Sequence, residues 1–176
     1  MILLMGLPGS GKGTQGKMLA DVKGIHLLSM GELVRMYVTG DRRKEMLAGA
    51  LLNDDEIIEM LDRVLLTMDG ADESILDGFP RTIKQAEWLM QQVEAGRFKL
   101  DAVIYLEVTR QAVVERLKTR GRLDDSEEVI EARFKEYERL TRPVIAWLED
   151  HGVNIMHVDG ERSTDVVHRD IVNKLQ

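Results

Sequence analysis

The sequence contains no cysteine, and it has neither a long hydrophobic run nor an extended block of positive charge. The lack of cysteine excludes a disulfide framework and a zinc site built from thiolates, which fits a reducing compartment. The apolar run at the start of the sequence reaches only to Gly6, which is too short for a signal peptide or a membrane-spanning helix. We therefore expect a soluble, cytoplasmic protein with no zinc and no membrane partner.

Charge and length narrow the class of protein further. The formal net charge is −7, with 24 Lys and Arg against 31 Asp and Glu. Since no cationic block is long enough to follow a nucleic-acid backbone, nucleic acid is not an expected partner. A chain of 176 residues with no repeat, linker or low-complexity segment predicts a single domain over residues 1–176, which we expect to be a monomer.

Short apolar runs alternate with longer amphipathic stretches along the chain, a pattern typical of βαβ units around a parallel sheet. The runs predicted to be strands are Ile2–Met5, Ile25–Leu28, Ser74–Leu76, Ala102–Leu106 and Val153–Val158. Amphipathic helices are predicted to begin near Asn53 and to run from Ser126 to Asp150, where Pro143 should bend the helix. The pattern indicates an α/β fold with both faces of the sheet covered.

A glycine-rich segment follows the first predicted strand and precedes a predicted helix. It reads Gly6-Leu7-Pro8-Gly9-Ser10-Gly11-Lys12-Gly13-Thr14. Its glycines allow a tight turn whose N–H groups point inward and, with the helix N-terminus, can surround phosphate oxygens. Lys12 adds a positive charge that can follow a transferring phosphoryl group. Gly13 stands where most such loops carry the Ser or Thr that holds magnesium, and Thr14 comes one position late.

A second candidate segment reads Ile75-Leu76-Asp77-Gly78-Phe79-Pro80-Arg81-Thr82. The predicted strand delivers Asp77 at its carboxyl end, where ligands bind in open α/β sheets. A carboxylate there can hold the water shell of a magnesium ion that bridges phosphates, and Arg81 can grip a phosphate through its planar fork. The structural alternative makes Asp77 a helix cap, but a second phosphate-directed element beside a phosphate loop favours the functional interpretation.

Arginines form a third candidate group. Arg120 and Arg122 flank Gly121, and Arg133 follows early in the next predicted helix, where it can lean toward bound phosphate. Arg116 lies four residues before Arg120, on the same face if that stretch is helical. The alternative is a solvated charged loop. The histidines are isolated in the sequence, without metal-ligand spacing, and are expected at the surface or at strand ends; they are His26, His151, His157 and His168.

Taken in order, these segments resemble the adenylate kinase family. Gly6 to Gln15 matches its phosphate loop, including the unusual glycine, and Ser29 to Arg35 resembles its helix that binds the nucleoside monophosphate. Asp77 to Gln85 matches its D-G-[FY]-P-R-x-x-x-Q block, and Arg120 to Asp125 resembles the hinge of its lid. The similarity covers essentially the whole chain.

The resemblance implies a fold and a reaction. The fold would be a P-loop three-layer α/β/α domain with a five-stranded parallel sheet, a small helical NMP-binding insert at residues 29–60 and a minimal lid at residues 120–125. The reaction would be the reversible transfer of a phosphoryl group from Mg-ATP to AMP, giving two ADP. Because the attacking phosphate oxygen is already ionised near neutral pH, catalysis reduces to alignment and charge stabilisation without a base.

The resemblance also implies roles for individual residues. The catalytic residues would be Lys12, Arg81, Arg120, Arg122 and Arg133. ATP would be bound by Gly9, Ser10, Gly11, Lys12, Gly13, Thr14, Arg116 and Gly160, with Arg116 stacked on the adenine. AMP would be bound by Ser29, Met30, Arg35, Leu52, Gly78, Arg81, Gln85, Arg122 and Arg133, with Gln85 reading the adenine edge. Asp77 would hold magnesium through water, and Asp124 and Asp125 would fix the lid arginines or their hinge.

Two positions leave the acceptor base open. Met30 replaces the usual Thr of the family, whose hydroxyl can hydrogen-bond adenine, whereas a thioether offers only a weak acceptor. Kinases of uridine and cytidine monophosphate, which resemble this family closely, also lack that Thr. Gln85 argues the other way, because those enzymes usually carry Asn there. AMP is favoured, and a UMP/CMP-type kinase is the alternative.

The lid is the larger departure from the family. Only Gly121 separates Arg120 from Arg122, so we expect the arginines to close through small helix and loop shifts, and ATP to be hydrolysed more readily than in long-lid relatives. A third interpretation is a P-loop protein that binds nucleotides without catalysis. Such a protein has no need of transition-state residues, so their presence argues against it.

Overall fold

The computed structural model describes residues 1–41, 44, 52–120 and 126–176. Its strands are β1 (Ile2–Gly6), β2 (His26–Ser29), β3 (Ser74–Asp77), β4 (Ala102–Glu107) and β5 (Ile155–Asp159). They form a five-stranded sheet in the order β2-β3-β1-β4-β5, and every pairing is parallel. The expected α/β fold and its five strands are confirmed, and each strand ends one residue beyond its predicted end.

The described helices alternate with these strands. They are α1 (Lys12–Lys23), α2 (Met30–Tyr37), α3 (Asp54–Thr67), α4 (Ile83–Glu94), α5 (Arg110–Arg120), α6 (Glu127–Glu136), α7 (Arg142–Asp150) and α8 (Thr164–Lys174). The predicted start of α3 is confirmed by a capping box, in which the Asn53 side chain accepts the N–H of Glu56 and the Glu56 carboxylate accepts the N–H of Asn53. Among the described residues, no helix is long and apolar enough to cross a membrane.

Alternate residues of β1 pack into two separate cores, one on each face of the sheet. Leu3 and Met5 belong to a core that α3, α4 and α7 cover, with Leu61 and Leu148 fully buried there. Ile2 and Leu4 belong to the opposite core, which α1 and α8 cover. Because successive side chains of a strand point to opposite faces, this division produces the three-layer α/β/α arrangement that was expected.

The long helix predicted from Ser126 to Asp150 is interrupted in the structure. A π-helical segment, Tyr137–Thr141, separates α6 from α7, and the N–H of Arg142 bonds to the carbonyl five residues earlier, at Tyr137. Pro143 lies in the first turn of α7. Proline has no N–H and its ring clashes with the preceding turn, so a regular α-helix cannot run through it. The expected irregularity therefore falls just before the proline, on the π-helical segment.

The strand register brings the functional candidates to one edge of the sheet. Leu4 and Ser29 are both paired with Asp77, and Gly6 is paired with Leu106. After β1, the next two strands in the sequence, β2 and β3, lie on one side of β1, and the last two, β4 and β5, lie on the other side. A change of direction of this kind opens a crevice at the carboxyl ends of the strands. The glycine-rich loop follows β1 at this point.

His157 lies in the middle of β5 and is exposed, as expected for a surface histidine, but it is isolated only in the sequence. Its Nδ1 lies 2.8 Å from Oε1 of Glu107, and its Nε2 lies 3.4 Å from Oε1 of Glu149. The hydrogen bond to Glu107 raises the pKa of His157, and Glu149 adds to this effect. Within the described ranges, no three His, Asp or Glu side chains are arranged to hold a metal ion.

Candidate active site

The glycine-rich loop makes a tight turn between β1 and α1. The N–H of Ser10 donates to the carbonyl of Leu7 at 3.0 Å, and α1 begins inside the loop at Lys12. Gly6 has φ +138°, and a side chain there would place its Cβ 2.7 Å from the carbonyl oxygen of Leu106. Only glycine satisfies both conditions. Because Gly6 has no side chain, β4 can approach the loop closely. The loop and the helix N-terminus form the anion-binding arrangement expected from the sequence.

The ammonium group of Lys12 lies over this loop. Its Nζ donates to the carbonyl oxygens of Gly6 and Leu7, both at 2.8 Å. These carbonyl groups are neutral acceptors, whereas a phosphate oxygen is an anionic one and binds an ammonium more strongly. The Lys12 side chain is therefore placed to transfer its hydrogen bonds to a phosphate that enters the loop.

A cleft of about 1450 Å³ opens at the carboxyl edge of the sheet. Pockets for one small ligand usually measure about 300–1,000 Å³, so this cleft has room for two. Of the expected site residues, those described with their side chains all line it: Gly9, Ser10, Gly11, Lys12, Gly13, Thr14, Ser29, Met30, Arg35, Leu52, Asp77, Gly78, Arg81, Gln85, Arg116, Arg133 and Gly160. The fold thus brings together segments that are widely separated in the sequence.

The expected lid lies mostly outside the described residues. Arg120 is the last residue of α5, and its side chain is not among those described. Arg122, Asp124 and Asp125 fall in residues 121–125, which are also outside the described ranges. The roles of these residues stay predictions.

Asp77 stands opposite the glycine-rich loop. Its Oδ2 accepts a 3.3 Å hydrogen bond from the Ser29 hydroxyl, and a Cβ on Gly13 would lie 3.6 Å from the same oxygen. The alternative that Asp77 caps the next helix is wrong, because Thr82 is the N-cap of α4. Magnesium in phosphate-transfer sites is usually held by one or two carboxylates together with phosphates and water. A single carboxylate facing a phosphate loop fits such an ion.

The backbone and side chain of Arg81 are both held in place. Its N–H donates to Oε1 of Gln85, and its Nε donates to the carbonyl of Gly78, both at 2.8 Å. Its own carbonyl accepts a 3.0 Å hydrogen bond from the Thr141 hydroxyl. Gly78 has φ +79°, and a Cβ there would lie 2.9 Å from Nη2 of Arg81. A glycine is therefore required for the guanidinium to fold back over its own loop.

The charges around Arg81 favour an anionic ligand. Burial lowers the pKa of Arg81, the Asp77 carboxylate opposes this effect, and the positive charges of Arg133 and Arg35 add to it. Because a guanidinium stays protonated in proteins, the result is a partly buried group of three cations with one carboxylate. Phosphate oxygens would relieve the repulsion among these arginines.

Arg116 connects α5 with both the loop and the end of β5. Its Nη2 donates to the carbonyl of Gly160 at 2.8 Å, and its Nη1 donates to the carbonyl of Ser10 at 3.3 Å. The stretch from Arg116 to Arg120 is helical and ends α5. The guanidinium lies at the rim of the phosphate loop, where its planar face can meet the base of a nucleotide bound there.

Comparison with known proteins agrees with this geometry. The model of a family described as adenylate kinase matches residues 4–153. An adenylate kinase of Nitrobacter hamburgensis is 37% identical over an alignment that covers 99% of this chain and 91% of that protein. The chain belongs to the adenylate kinase family. An adenylate kinase of Corynebacterium urealyticum is 37% identical, with 93% of this chain and 92% of that protein covered. An adenylate kinase of Mycobacterium tuberculosis is 40% identical, with 85% and 86% covered.

Two residues near the site of this adenylate kinase family member were not predicted from the sequence. Thr141 lies in the long helix predicted from Ser126 to Asp150, in line with the apolar residues Tyr137 and Val144, yet its hydroxyl bonds to the carbonyl of Arg81. Asp54 is one of three acidic residues that directly follow the predicted helix start at Asn53, yet its Oδ1 accepts hydrogen bonds from Gln85 and Thr82. A polar residue inside an apolar stripe was the available signal for Thr141. Nothing in the local pattern distinguished Asp54 from its acidic neighbours.

Proposed function

We propose that this chain catalyses the reversible transfer of a phosphoryl group from Mg-ATP to AMP, giving two ADP. The observation that carries the proposal is the cluster of Arg35, Arg81 and Arg133, which lines the same cleft as the phosphate loop. Two polyanionic ligands can meet there with their phosphates between the loop and the arginines. Membership of the adenylate kinase family favours AMP over UMP or CMP as the acceptor.

The loop residues would bind the donor. Backbone N–H groups of the loop and the N-terminus of α1 would surround the ATP phosphates, and Lys12 would move from the Gly6 and Leu7 carbonyls to the transferring group. Arg116 would contact the adenine of ATP from the rim. Asp77 would hold a magnesium ion through water, and the bound ion would supply positive charge beside the phosphate groups.

The arginines would bind and align the acceptor. Arg81 is fixed by its backbone and by Gly78, so it offers a preset fork for the AMP phosphate, with Arg35 beside it. Together with Arg120 and Arg122, Arg133 would stabilise the charge on the phosphoryl group as it is transferred. Met30 is 2% exposed and lines the cleft, and it would supply an apolar wall for the acceptor base.

We also propose that the protein acts as a cytoplasmic monomer. The cytoplasm provides both nucleotides and the reducing conditions that suit a chain without cysteine. The proposal of a monomer follows from the reading of the 176 residues as one domain.

The test combines a panel of acceptors with one loop variant. The wild-type chain is assayed with Mg-ATP and AMP, CMP, UMP or GMP, and we expect the highest kcat/KM with AMP. Lys12→Ala should lower kcat about 100-fold or more, because the transferring group loses its mobile positive charge. Lys23→Ala is the control, since Lys23 is exposed at the far end of the same helix.

Each outcome separates two interpretations. A wild-type chain that transfers no phosphoryl group to any acceptor would support the binding-only interpretation and overturn the proposal. A preference for CMP or UMP would support the alternative kinase type, with the phosphate chemistry unchanged. Equal losses in the Lys12 and Lys23 variants would remove the role proposed for Lys12.

A further inference from the structure

The carboxamide of Gln85 is held by the protein at both of its ends. Its Oε1 accepts the N–H of Arg81 at 2.8 Å, and its Nε2 donates to Oδ1 of Asp54 at 2.8 Å. The residue is 3% exposed and lines the cleft. Gln85 is thus a buried, rigid part of the cleft wall.

These two partners determine which way the carboxamide faces. A backbone N–H can only donate, so the oxygen of Gln85 must face Arg81. An ionised carboxylate can only accept, so the nitrogen must face Asp54. In the reverse orientation, the N–H groups of Gln85 and Arg81 would face each other at one end of the carboxamide. At the other end, the oxygen of Gln85 would face the carboxylate oxygen of Asp54. Arg81 supplies one of these constraints and Asp54 supplies the other.

Asp54 is itself well fixed. It is the first residue of α3, and its Oδ1 also accepts a 2.8 Å hydrogen bond from the Thr82 hydroxyl. Thr82 in turn accepts the N–H of Gln85 with its side chain at 3.2 Å. Asp54, Thr82 and Gln85 therefore form a closed ring of hydrogen bonds between α3 and the start of α4.

The orientation decides what Gln85 can offer to a base. A carboxamide has two N–H groups and two lone pairs, of which the protein takes one each. One donor and one acceptor remain for the ligand, and their order along the amide is set. A base held in one position by its phosphate therefore meets them in one order only. An exocyclic amino group needs the oxygen of Gln85 opposite it, whereas an exocyclic carbonyl needs the nitrogen.

We infer that Asp54 is a positioning residue that makes the acceptor site selective for the amino-bearing edge of a base over a carbonyl-bearing edge. The inference rests on the proposed function, since bound AMP would place its amino group at Oε1 of Gln85. IMP has the same ring system with a carbonyl in place of that amino group, so its oxygen would face Oε1. Asp54 opposes the rotation of the amide that would relieve this conflict.

A purely structural role for Asp54 must be separated from this one. An acidic residue in the first turn of a helix stabilises it through the helix dipole whatever else it contacts. Asp55 provides the matched control, because it lies in the same turn of α3, and its bond is to Nζ of Lys84 at 2.7 Å. Loss of Asp55 removes the same charge at the same helix end.

The experiment compares AMP and IMP as acceptors with Mg-ATP in the full chain, with formation of the nucleoside diphosphate as the readout. The measured quantity is the ratio of kcat/KM for AMP to that for IMP, which general damage to the fold leaves unchanged. We expect a ratio well above one in the wild type and a decrease of about tenfold in Asp54→Ala. Asp54→Asn should decrease it by a few-fold, since a neutral amide oxygen is a weaker acceptor than a carboxylate. Asp55→Ala should leave it at the wild-type value.

Unchanged ratios in both Asp54 variants would overturn the inference, as would an equal decrease in the Asp55 control. If Asp54→Ala does not fold, Asp54→Asn decides by the same criterion. A wild-type chain that uses AMP with a ratio of one or less overturns the inference while the proposed function stands. A folded wild-type chain that does not phosphorylate AMP contradicts the proposed function itself, whatever the variants do.

Discussion

The hydroxyl of Thr141 donates a 3.0 Å hydrogen bond to the carbonyl oxygen of Arg81, a residue 60 positions earlier in the chain. Thr141 is the last residue of the π-helical segment, and Arg81 lies in the loop between β3 and α4. The contact joins the segment that follows α6, the helix that carries Arg133, to the loop that carries Arg81, the arginine proposed to bind the AMP phosphate. Small displacements of this segment would therefore move two cleft arginines relative to each other.

Replacement of Thr141 by Val should weaken the use of AMP. The substitution keeps the shape of the side chain and leaves the Arg81 carbonyl without its donor, a loss of about 1–2 kcal/mol. We expect kcat/KM for AMP to fall about 5- to 30-fold, with KM for ATP unchanged, and Thr141→Ser to restore it. The control is Thr67→Val, since Thr67 is exposed and bonds to the Val64 carbonyl within its own helix, α3. Wild-type AMP kinetics in Thr141→Val would contradict the positioning role.

Loss of the Arg133 charge should affect turnover more than binding. If Arg133 stabilises the transferring phosphoryl group, Arg133→Gln should lower kcat about 10³-fold or more. Arg139→Gln is the control, because Arg139 is exposed. It lies on the π-helical segment that follows α6 and forms an ion pair with Glu136. Steady-state rates with saturating nucleotides measure the effect. A decrease of less than tenfold in a folded Arg133 variant would remove the assignment.

Two glycine substitutions should differ in their effect on stability. Gly6→Ala combines a left-handed φ with a Cβ 2.7 Å from the Leu106 carbonyl, so we expect a loss of more than about 2 kcal/mol in the free energy of unfolding. At Gly24, φ is +66° and nothing lies within 4 Å of the added Cβ. Gly24→Ala should therefore cost only about 1 kcal/mol. Urea denaturation of the two variants measures the difference, and equal losses would show that the contact with β4 contributes nothing.

The contacts of His157 with Glu107 and Glu149 should make stability depend on pH. Glu107, with help from Glu149, raises the pKa of His157 in the folded state, so the protonated form is stabilised by folding. This contribution is present below the unfolded pKa of about 6.5, as long as the glutamates stay ionised, and it is lost as pH rises through the raised folded pKa. Thermal melting should show a larger deficit for His157→Gln at pH 6 than at pH 9.

The control for this comparison is His26→Gln, at the exposed start of β2. The deficit of His157→Gln is compared with the deficit of this variant at each pH. A deficit of His157→Gln that is constant across the range, or that grows with pH, would contradict the assigned direction of the pKa shift.

The short lid predicts measurable hydrolysis of ATP without an acceptor. Only Gly121 separates the two lid arginines, so water should be excluded less completely than by a long lid. We expect ADP to form from Mg-ATP alone at a rate above that of the Lys12→Ala variant. Equal rates in the two proteins would mean that the short segment protects ATP adequately.

Local patterns in the sequence were enough to predict the framework of the site. Each strand is a short apolar run, and the carboxyl end of a parallel strand is where a loop meets ligands, so the positions of Lys12 and Asp77 followed from neighbouring residues alone. The capping signal at Asn53 was likewise readable, because a capping box involves residues only three positions apart.

Other features depended on contacts between distant parts of the chain. The hydrogen bond from Thr141 to Arg81, the fixed amide of Gln85 beside Asp54 and the ion pairs of His157 each join residues from different elements. The spacing of apolar residues in the sequence does not predict such contacts, since they arise only when helices pack on the sheet at a particular register. The sequence by itself determined the α/β framework, the phosphate loop and the chemistry at its edge, whereas the tertiary structure alone decided which side chains hold Arg81 and Gln85 in place.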